Sequence, residues 1–386
     1  MKVVLIYLPH PYLKQPDAQI PLGLLYLAAV LEIQGIVVEV KNYSSNLTYE
    51  ALQDISEADM YGISITSLEL PQANRFACLL KEKYPKSKVV LGGPGAYSHE
   101  FVDWNFVDSV CIGDGELEII KICNDISDKA VRRIYVGESV EHLDDLPFPA
   151  KHLLKGPQGG NIFAYGKTYR KGETTTVTTS RGCPFQCAFC GSPFFTKQRG
   201  KVNFRSPENV VAELKHIKET YGIEQIRFSD DMFTANKGRC LELCEQIAPL
   251  DIVYRVSVRT KPFDKEVAMA LCNSGCKEVS FGVESFDAAV LKFLNKGTTA
   301  ADNVQALEIC RDVGLKTRIL FMIRTPGQTR ETVSINIDYL NKVPYDIIAC
   351  TSFVPLPASD IWMNPDKYGI EILSKNLDKY NFYSTF

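Results

Sequence analysis

The stretch TTSRGCPFQCAFCGSPFF, residues 178–195, places three cysteines within eight residues. They are Cys183, Cys187 and Cys190, and Gly182 and Pro184 stand beside the first of them. Glycine and proline at this density predict a loop and exclude a helix face. The β-branched run TTTVTTS, residues 174–180, predicts a strand that leads directly into this loop.

Three thiols on one loop are typical of a metal site. A structural zinc ion needs four protein ligands, and none of the five histidines lies in the loop. A catalytic zinc site with three thiolates packed this tightly is unusual, so zinc stays the weaker alternative. Exposed free thiols would oxidise readily. A 4Fe–4S cluster fits better, because three thiolates leave one iron open to bind a further molecule.

Strands and helices alternate from the cysteine loop to residue 356. About six βα units can be counted, fewer than the eight of a closed barrel. The sequence therefore predicts a partial (β/α)6 TIM-like barrel over residues 173–356, with the cysteine loop after its first strand. Residues 357–386 form a short C-terminal extension.

Residues 1–128 alternate in the same way and predict a Rossmann-like parallel sheet covered by helices. Three of its strands run into the loops SITS, GGPG and GDGE, which begin at residues 64, 92 and 113. Ligands of such sheets bind outside the carboxyl ends of the strands, so these loops predict a ligand rim. Residues 129–172, rich in proline and turn residues, form a connector.

The composition is that of an ordinary soluble globular protein, with 45% hydrophobic and 23% charged residues and a net charge of −3. No block of Lys or Arg favours a nucleic acid as partner. The longest apolar stretch is too short to span a bilayer, so no membrane partner is expected. Without an export signal the protein is expected to be cytoplasmic, with its 12 cysteines reduced.

The motif CPFQCAFC resembles the C-x3-C-x2-C signature of radical S-adenosylmethionine (SAM) enzymes. Further stretches are similar to the branch of that family with an N-terminal cobalamin-binding domain, whose members include class B methyltransferases. They are IPLGLLYLAAVLEIQG, VVLGGPGA, CIGDGE, LDDLPFPA, VSFGVESFD, VLKFLNKGTT and GQTRET. The resemblance covers residues 1–356.

The resemblance implies three cofactors: a 4Fe–4S cluster, SAM and cobalamin. SAM would bind the open iron, and one electron from the cluster would cleave it to a 5′-deoxyadenosyl radical that takes hydrogen from the substrate. That electron would come from a donor such as flavodoxin or ferredoxin. The cofactors carry the difficult chemistry, and no catalytic side chain is assigned.

The resemblance also implies SAM contacts at Ser229, Asp230, Arg259 and Glu284. The family's Gly-Gly-Glu-like stretch is here Ser-Asp-Asp, so a carboxylate persists without the two glycines. Asp230 or Asp231 could instead cap the next helix. Arg259 and Glu284 could instead form a salt bridge with each other.

Cobalamin would be held by backbone and hydroxyl groups of the three rim loops. The residues expected to contact it are Ser64, Thr66, Gly92, Gly93, Gly113 and Glu116. No Asp-x-His-x-x-Gly motif occurs, so we expect no histidine below cobalt.

These features predict a radical SAM enzyme that methylates an unactivated carbon, or phosphorus, of a small molecule or peptide. A cyclase, oxidase or rearrangement enzyme that uses cobalamin without methyl transfer is the alternative. A non-catalytic sensor is disfavoured by the full barrel. The methylthiotransferase branch would need a second cluster on N-terminal cysteines, and Cys78, Cys111 and Cys123 fall in helix and strand patterns instead.

Overall fold

A computed structural model of the protein describes residues 1–10, 20–43, 49–154, 169–170 and 172–380. The described residues form two compact units. The first contains those up to residue 154 together with Ser374–Tyr380, and the second contains those from residue 169 to residue 373. Each unit is built on a six-stranded parallel sheet, so the predicted α/β class is confirmed.

The first unit alternates strands and helices along its described residues. Its strands are β1 (Lys2–Tyr7), β2 (Val37–Asn42), β3 (Met60–Ser64), β4 (Lys88–Gly92), β5 (Ser109–Gly113) and β6 (Ile134–Gly137). Its helices are α1 (Leu22–Ile33), α2 (Leu70–Lys83) and α3 (Glu118–Ser127). The strand order is β2-β1-β3-β4-β5-β6.

The central strands of this sheet are apolar on both faces, which is why they read as continuous hydrophobic runs. Val3, Val4 and Leu5 of β1 are fully buried. Helix α1 covers one face of the sheet with Leu24 and Ala28. These contacts form the core beneath the rim loops.

The range 129–172, expected to be a connector, contributes the edge strand β6. Its pairing with β5 places Tyr135 beside Cys111. Only four residues long, β6 leaves Val136 68% exposed, so it lacks the buried apolar run that reveals the other strands.

The second unit has the strand order β14-β13-β12-β11-β10-β7. Its sheet strands are β7 (Thr174–Val177), β10 (Gln225–Phe228), β11 (Val253–Val258), β12 (Cys276–Glu284), β13 (Lys316–Ile323) and β14 (Ile347–Ser352), and β8 (Ser180–Arg181) pairs with β9 (Asn203–Phe204) separately. Its helices are α4 (Ser192–Arg199), α5 (Pro207–Tyr221), α6 (Lys237–Ile247), α7 (Lys265–Asn273), α8 (Ala288–Phe293), α9 (Ala300–Val313), α10 (Arg330–Leu340) and α11 (Asp360–Met363).

Helix α5 shows how local sequence sets an element's bounds. The side chain of Ser206 accepts a hydrogen bond from the N–H of Asn209 at 3.1 Å, and Pro207 occupies the first turn. Gly222, with φ of 68°, ends the helix in the left-handed conformation. The apolar residues predicted to face the sheet, such as Leu214, are buried.

All six strands of the second sheet run parallel, so their carboxyl ends lie at one edge. The cysteine loop follows β7, Ser229 follows β10, Arg259 follows β11 and Glu284 ends β12. The topology therefore gathers the predicted cluster and SAM residues at this edge. No helix among the described residues is long and apolar enough to cross a membrane.

Candidate functional site

The cysteine loop turns sharply at Gly182, whose φ is 104°. A side chain there would place its Cβ 2.7 Å from the hydroxyl oxygen of Thr196. That oxygen accepts a hydrogen bond from the N–H of Cys183 at 2.9 Å, and the hydroxyl donates to the carbonyl of Ser192 at 2.8 Å. The turn that presents the first cysteine therefore depends on glycine.

Backbone hydrogen bonds fix the middle of the loop. The N–H of Ala188 donates to the carbonyl of Leu294 at 2.9 Å. The carbonyl of Ala188 accepts from the N–H of Ile361 at 3.0 Å. The N–H of Cys190 donates to the carbonyl of Cys187 at 3.1 Å. Ile361 is buried in α11, so the segment after the last barrel strand helps to hold the loop.

Hydrogen-bond donors of the protein are aimed at the cysteine sulfurs of the loop. The guanidinium of Arg259 donates to Sγ of Cys187 at 3.0 Å and lies 3.9 Å from the ring centre of Phe185. The N–H of Ser192 donates to Sγ of Cys190 at 3.4 Å. Donors aimed at sulfur favour the thiolate form and tune the potential of a cluster bound there.

The donor set fits a 4Fe–4S cluster. Burial raises the pKa of the Cys183 and Cys190 thiols, and bound iron supplies the positive charge that keeps such thiols deprotonated. In the part of the chain that the structure describes, no three His, Cys, Asp or Glu side chains are arranged for a single metal ion. Three thiolates that each bind a different iron are spaced more widely than the ligands of one ion.

Asp230, predicted to contact SAM, is held by hydrogen bonds within the protein. Its buried carboxylate accepts hydrogen bonds from the N–H and hydroxyl of Thr179, at 2.8 and 2.5 Å, and from the hydroxyl of Ser180 at 2.6 Å. Burial raises the pKa of Asp230, against these hydrogen bonds and the charge of Arg239. Asp230 thus ties β10 to the start of the cysteine loop.

The alternative that Asp230 or Asp231 caps the next helix is wrong. Asn236 caps α6, because its side chain accepts from the N–H of Arg239 at 3.0 Å. Asp231 accepts from the hydroxyl of Ser192, two residues after the third cysteine, at 2.9 Å. Both aspartates therefore support the loop. Ser229 lies at the same edge and is exposed, so a ligand could reach it.

Glu284 and Arg259 share a partner that the sequence pattern did not reveal. Nζ of Lys296 lies 2.9 Å from Oε1 of Glu284, and both side chains are more than 90% buried. Arg259 donates to the backbone carbonyl of Lys296. Each therefore contacts Lys296, and the direct salt bridge between Arg259 and Glu284 is not formed. The one signal for Lys296 was its place in the stretch VLKFLNKGTT.

The backbone at Glu284 is strained. Its φ is 61°, an uncommon value for a residue other than glycine, and the pairing of β12 with β13 shifts register between Gly282 and Glu284. A Cβ on Gly282 would lie 2.6 Å from Nζ of Lys296 and 2.7 Å from Oε1 of Glu284. Gly282 thus makes room for this ion pair, and strain of this kind clusters at ligand sites.

The residues predicted to contact cobalamin lie at the carboxyl edge of the first sheet. They are Ser64, Thr66, Gly92, Gly93, Gly113 and Glu116. The N–H of Thr66 donates to Oε2 of Glu69 at 2.6 Å. Gly93 has a φ of 90°, and a Cβ there would lie 2.9 Å from the carbonyl oxygen of Ile65. The rim loops are therefore packed closely against each other.

Buried polar atoms without a hydrogen-bond partner lie along this edge. Among the described residues they include both side-chain polar atoms of Asn42, Oε1 of Glu69, Oε1 of Gln72 and Nδ1 of His99. Such atoms are costly unless a ligand satisfies them. The amide side chains around the corrin ring of cobalamin can both donate and accept hydrogen bonds, so this edge fits cobalamin.

Two of the N-terminal cysteines, Cys111 and Cys123, are buried in the core of the first unit. Burial raises the pKa of Cys111 to about 12 and that of Cys123 to about 11. Cys111 lies in β5, Cys123 in α3 and Cys78 in α2. Thiols held protonated inside a core are poor metal ligands.

Comparison with known proteins identifies two domains in this chain. A model of the B12 binding domain matches residues 16–121, and one of the radical SAM superfamily matches residues 177–340. An uncharacterized methyltransferase of Pyrococcus horikoshii is 30% identical over an alignment that covers 93% of this chain and 81% of that protein. The chain belongs to the radical SAM enzymes that carry a B12-binding domain. Its cofactors are a 4Fe–4S cluster, SAM and cobalamin, as predicted.

Other relatives of this radical SAM enzyme differ in activity. The anaerobic magnesium-protoporphyrin IX monomethyl ester cyclase of Rubrivivax gelatinosus is 23% identical, covering 99% of this chain and 72% of its own. The structure of TsrM, a radical SAM methyltransferase from Kitasatospora setae, has the same fold, with a TM-score of 0.73 at 18% identity. That match covers 93% of this chain and 76% of TsrM. The prediction of a methyltransferase-like, cobalamin-dependent radical SAM enzyme is confirmed.

Proposed function

We propose that this enzyme transfers a methyl group to an unactivated carbon, or to phosphorus, of a small molecule or peptide. The observation that carries the proposal is the relative that is 30% identical over most of both chains, which is described as a methyltransferase. The geometry is compatible, because one unit has a loop suited to a cluster and the other an edge suited to cobalamin. A cyclase or oxidase activity is the alternative, since one relative is a cyclase.

The chain's own residues hold and shield the reacting groups. When bound, the cluster supplies the electron that cleaves SAM, and cobalamin supplies a carrier for the methyl group. Gly182 and Thr196 fix the position of Cys183, and Asp230 fixes the segment before it. The Arg259 guanidinium stabilises negative charge on the sulfur of Cys187. This arrangement would keep the cluster geometry constant through the reaction.

We assign the polar end of SAM to the edge that holds Ser229, Arg259 and Glu284. The carboxylate of Glu284 is buried beside the ammonium of Lys296, so this pair offers both charges that an amino acid group requires. The guanidinium of Arg259 is buried and already donates to Cys187 and Lys296. It would add charge near the SAM carboxylate without moving.

We assign cobalamin to the rim loops and to the unsatisfied atoms beside them. Asn42 and Gln72 present side-chain amides to a ligand rich in amides, and His99 lies at the same edge. We keep the prediction that no histidine ligates cobalt. An electron donor such as flavodoxin or ferredoxin would complete the reaction.

The test is anaerobic reconstitution with iron, sulfide and hydroxocobalamin, followed by mass spectrometry of the SAM products. Methyl transfer should consume two molecules of SAM per product, giving S-adenosylhomocysteine and 5′-deoxyadenosine together. The triple alanine variant of Cys183, Cys187 and Cys190 should give no 5′-deoxyadenosine. A matched control is Cys350→Ala, which removes an exposed thiol on the edge strand β14.

The same experiment distinguishes methyl transfer from the alternative activity. With the true substrate supplied, 5′-deoxyadenosine without S-adenosylhomocysteine or a methylated product would refute methyl transfer. That result would favour a cyclase, an oxidase or a rearrangement enzyme.

A further inference from the structure

The chain turns sharply at Glu284, where β12 ends. The N–H of Ser285 donates to the carbonyl of Val283 at 2.8 Å, so this hydrogen bond closes around the single residue Glu284. Such a bond around a residue with positive φ, here 61°, is typical of the classic γ-turn, which is rare and strained. Backbone strain persists only where the surrounding structure holds it, so the contacts of this turn indicate what maintains it.

Asn303 of α9 holds the turn on both sides of Glu284. Its side chain is fully buried. The side-chain amide donates to the carbonyl of Val283 at 3.4 Å and to the carbonyl of Ser285 at 3.1 Å. The pairing of β12 with β13 shifts register at Glu284, so the ladder of the sheet is interrupted there. Asn303 therefore supplies hydrogen bonds to backbone carbonyls at the interruption.

The same asparagine also holds the end of β11. Its Oδ1 accepts a hydrogen bond from the hydroxyl of Thr260 at 2.6 Å. Thr260 is buried and directly follows Arg259 in the chain. The Asn303 side chain thus joins the segment beside Arg259 to the segment around Glu284.

The start of α9 fixes the place of Asn303. The hydroxyl of Thr299 accepts from the N–H of Asp302 at 3.1 Å, and the Asp302 carboxylate accepts from the N–H of Thr299 at 2.8 Å. This capping box ends directly before Asn303. Lys296, the ion-pair partner of Glu284, lies just before the cap. A rigid helix start therefore carries Asn303 next to the segment that supplies Lys296.

A second asparagine, Asn336 of α10, contacts the residues after Glu284. Its Oδ1 accepts from the N–H of Phe286 at 2.8 Å and from the hydroxyl of Ser285 at 3.1 Å. The ring of Phe286 stacks on that of Tyr339, also in α10, with ring centres 4.9 Å apart. The turn is therefore held from two helices, and α9 connects it to β11 as well.

These asparagines indicate a requirement at the turn other than packing. A buried asparagine is costly unless its polar atoms are hydrogen-bonded, and the faces of helices that cover a sheet are ordinarily apolar. The feature that the two asparagines maintain is the strained conformation of Glu284. In that conformation its carboxylate lies 2.9 Å from Nζ of Lys296.

We propose that Asn303 is a positioning residue for SAM binding, which sets the place of Arg259 relative to the pair of Glu284 and Lys296. Arg259 also donates to Sγ of Cys187 at 3.0 Å, so Asn303 helps to keep this donor on a sulfur of the cluster loop. Asn303 acts through these residues and does not itself contact SAM. The inference rests on the proposed function through its assignment of SAM to this edge.

The test measures SAM binding to the reconstituted, unreduced holoenzyme by isothermal titration, so that no turnover occurs. Asn303→Ala should weaken SAM binding about tenfold or more, because the charges that recognise the amino acid group lose their alignment. Asn336→Ala should also weaken it, since the Glu284 turn loses one of its two supports. Circular dichroism at the titration temperature shows that each variant is folded.

Thr260→Val tests the connection to Arg259 separately. It keeps the shape of a buried side chain and removes the hydroxyl that donates to Asn303. Arg259 should then donate less well to the Cys187 sulfur. The midpoint potential of the cluster, measured without SAM by spectroelectrochemical titration, should therefore fall, because donors to sulfur stabilise the reduced cluster. Thr260→Ser, which keeps the hydroxyl, should retain the wild-type potential.

Thr317→Val is the matched control. Thr317 is equally buried, and its hydroxyl donates to Asp346 at 3.4 Å, but it lies at the opposite end of the sheet, near the start of β13. This variant should lower the temperature of unfolding and leave both SAM affinity and cluster potential unchanged.

Three results would overturn the proposal: wild-type SAM affinity in Asn303→Ala, an unchanged potential in Thr260→Val, or equal losses of SAM affinity in Asn303→Ala and Thr317→Val. Where Asn303→Ala does not fold, Asn336→Ala and Thr260→Val decide in the same way. The proposed function fails separately. SAM binding that depends on Asn303, without a methylated product, keeps this inference and loses methyl transfer.

Discussion

Replacing Gly182 by alanine should damage the cluster loop more than its backbone conformation alone requires. A residue other than glycine at positive φ costs about 1–2 kcal/mol. The lower conformational entropy of the unfolded chain offsets about 0.4–1 kcal/mol of this strain energy. The added Cβ would also lie 2.7 Å from the hydroxyl oxygen of Thr196. That hydroxyl must move, and the N–H of Cys183 would lose its acceptor.

Loss of that hydrogen bond adds about 1–3 kcal/mol, because a part-buried donor is left without a partner. Gly182→Ala should therefore destabilise the second unit by about 2–4 kcal/mol. Gly200→Ala is the matched control. Gly200 also has a positive φ, 79°, but a Cβ added there would meet no atom within 4 Å. It should cost only about 1 kcal/mol.

The assay is thermal unfolding of the apoprotein, with iron content after reconstitution as a second readout. For a unit of this size, 1 kcal/mol corresponds to about 2–4 °C. Gly182→Ala should lower the midpoint at least twice as far as Gly200→Ala and should bind less iron. Equal midpoints and equal iron content in the two variants would refute the role given to Gly182.

The remaining predictions concern each cofactor and the first unit. The triple alanine variant of the cluster cysteines should lose its broad visible absorbance and all 5′-deoxyadenosine formation, while Cys350→Ala keeps both; a full cluster in the triple variant would disprove the ligand assignment. Asn42→Leu should weaken cobalamin retention about tenfold or more, since two buried polar atoms lose a ligand, and unchanged retention would remove Asn42 from the site. Cobalamin bound to His99→Asn should keep the wild-type absorption spectrum; a changed spectrum would show a histidine at cobalt. Burial opposes ionisation of Asp108, but Lys81, Lys88 and the N–H of Val89 hold its pKa below the usual range. Its contribution to stability is therefore present above the unfolded pKa of about 4 and is lost as pH falls through the folded value, so acid unfolding curves of Asp108→Asn should be flatter between about pH 5 and 2.

Local sequence determined the cluster loop and most strands. The spacing of three cysteines between turn-forming residues indicates a metal-binding loop. It can be recognised without a structure, because the type and spacing of the ligands are properties of the sequence itself. Buried parallel strands such as β1 and β4 can also be predicted from the sequence, since both of their faces need apolar side chains. The edge strand β6 cannot, because its short, half-exposed run has no such pattern.

Tertiary structure alone decided what the charged residues at the cluster edge do. Asp230 was expected to touch SAM, yet its oxygens accept from Thr179 and Ser180, which lie 51 and 50 residues away in sequence. Lys296 meets Glu284 because a helix and a turn bring it back to the end of β12. The partners of a buried carboxylate depend on which donors the fold brings within hydrogen-bonding distance. These donors can be far away in sequence, so residue spacing along the chain does not predict them. The chain thus specifies which cofactors it can hold, and the packing of strands against loops specifies which side chains are left to hold them.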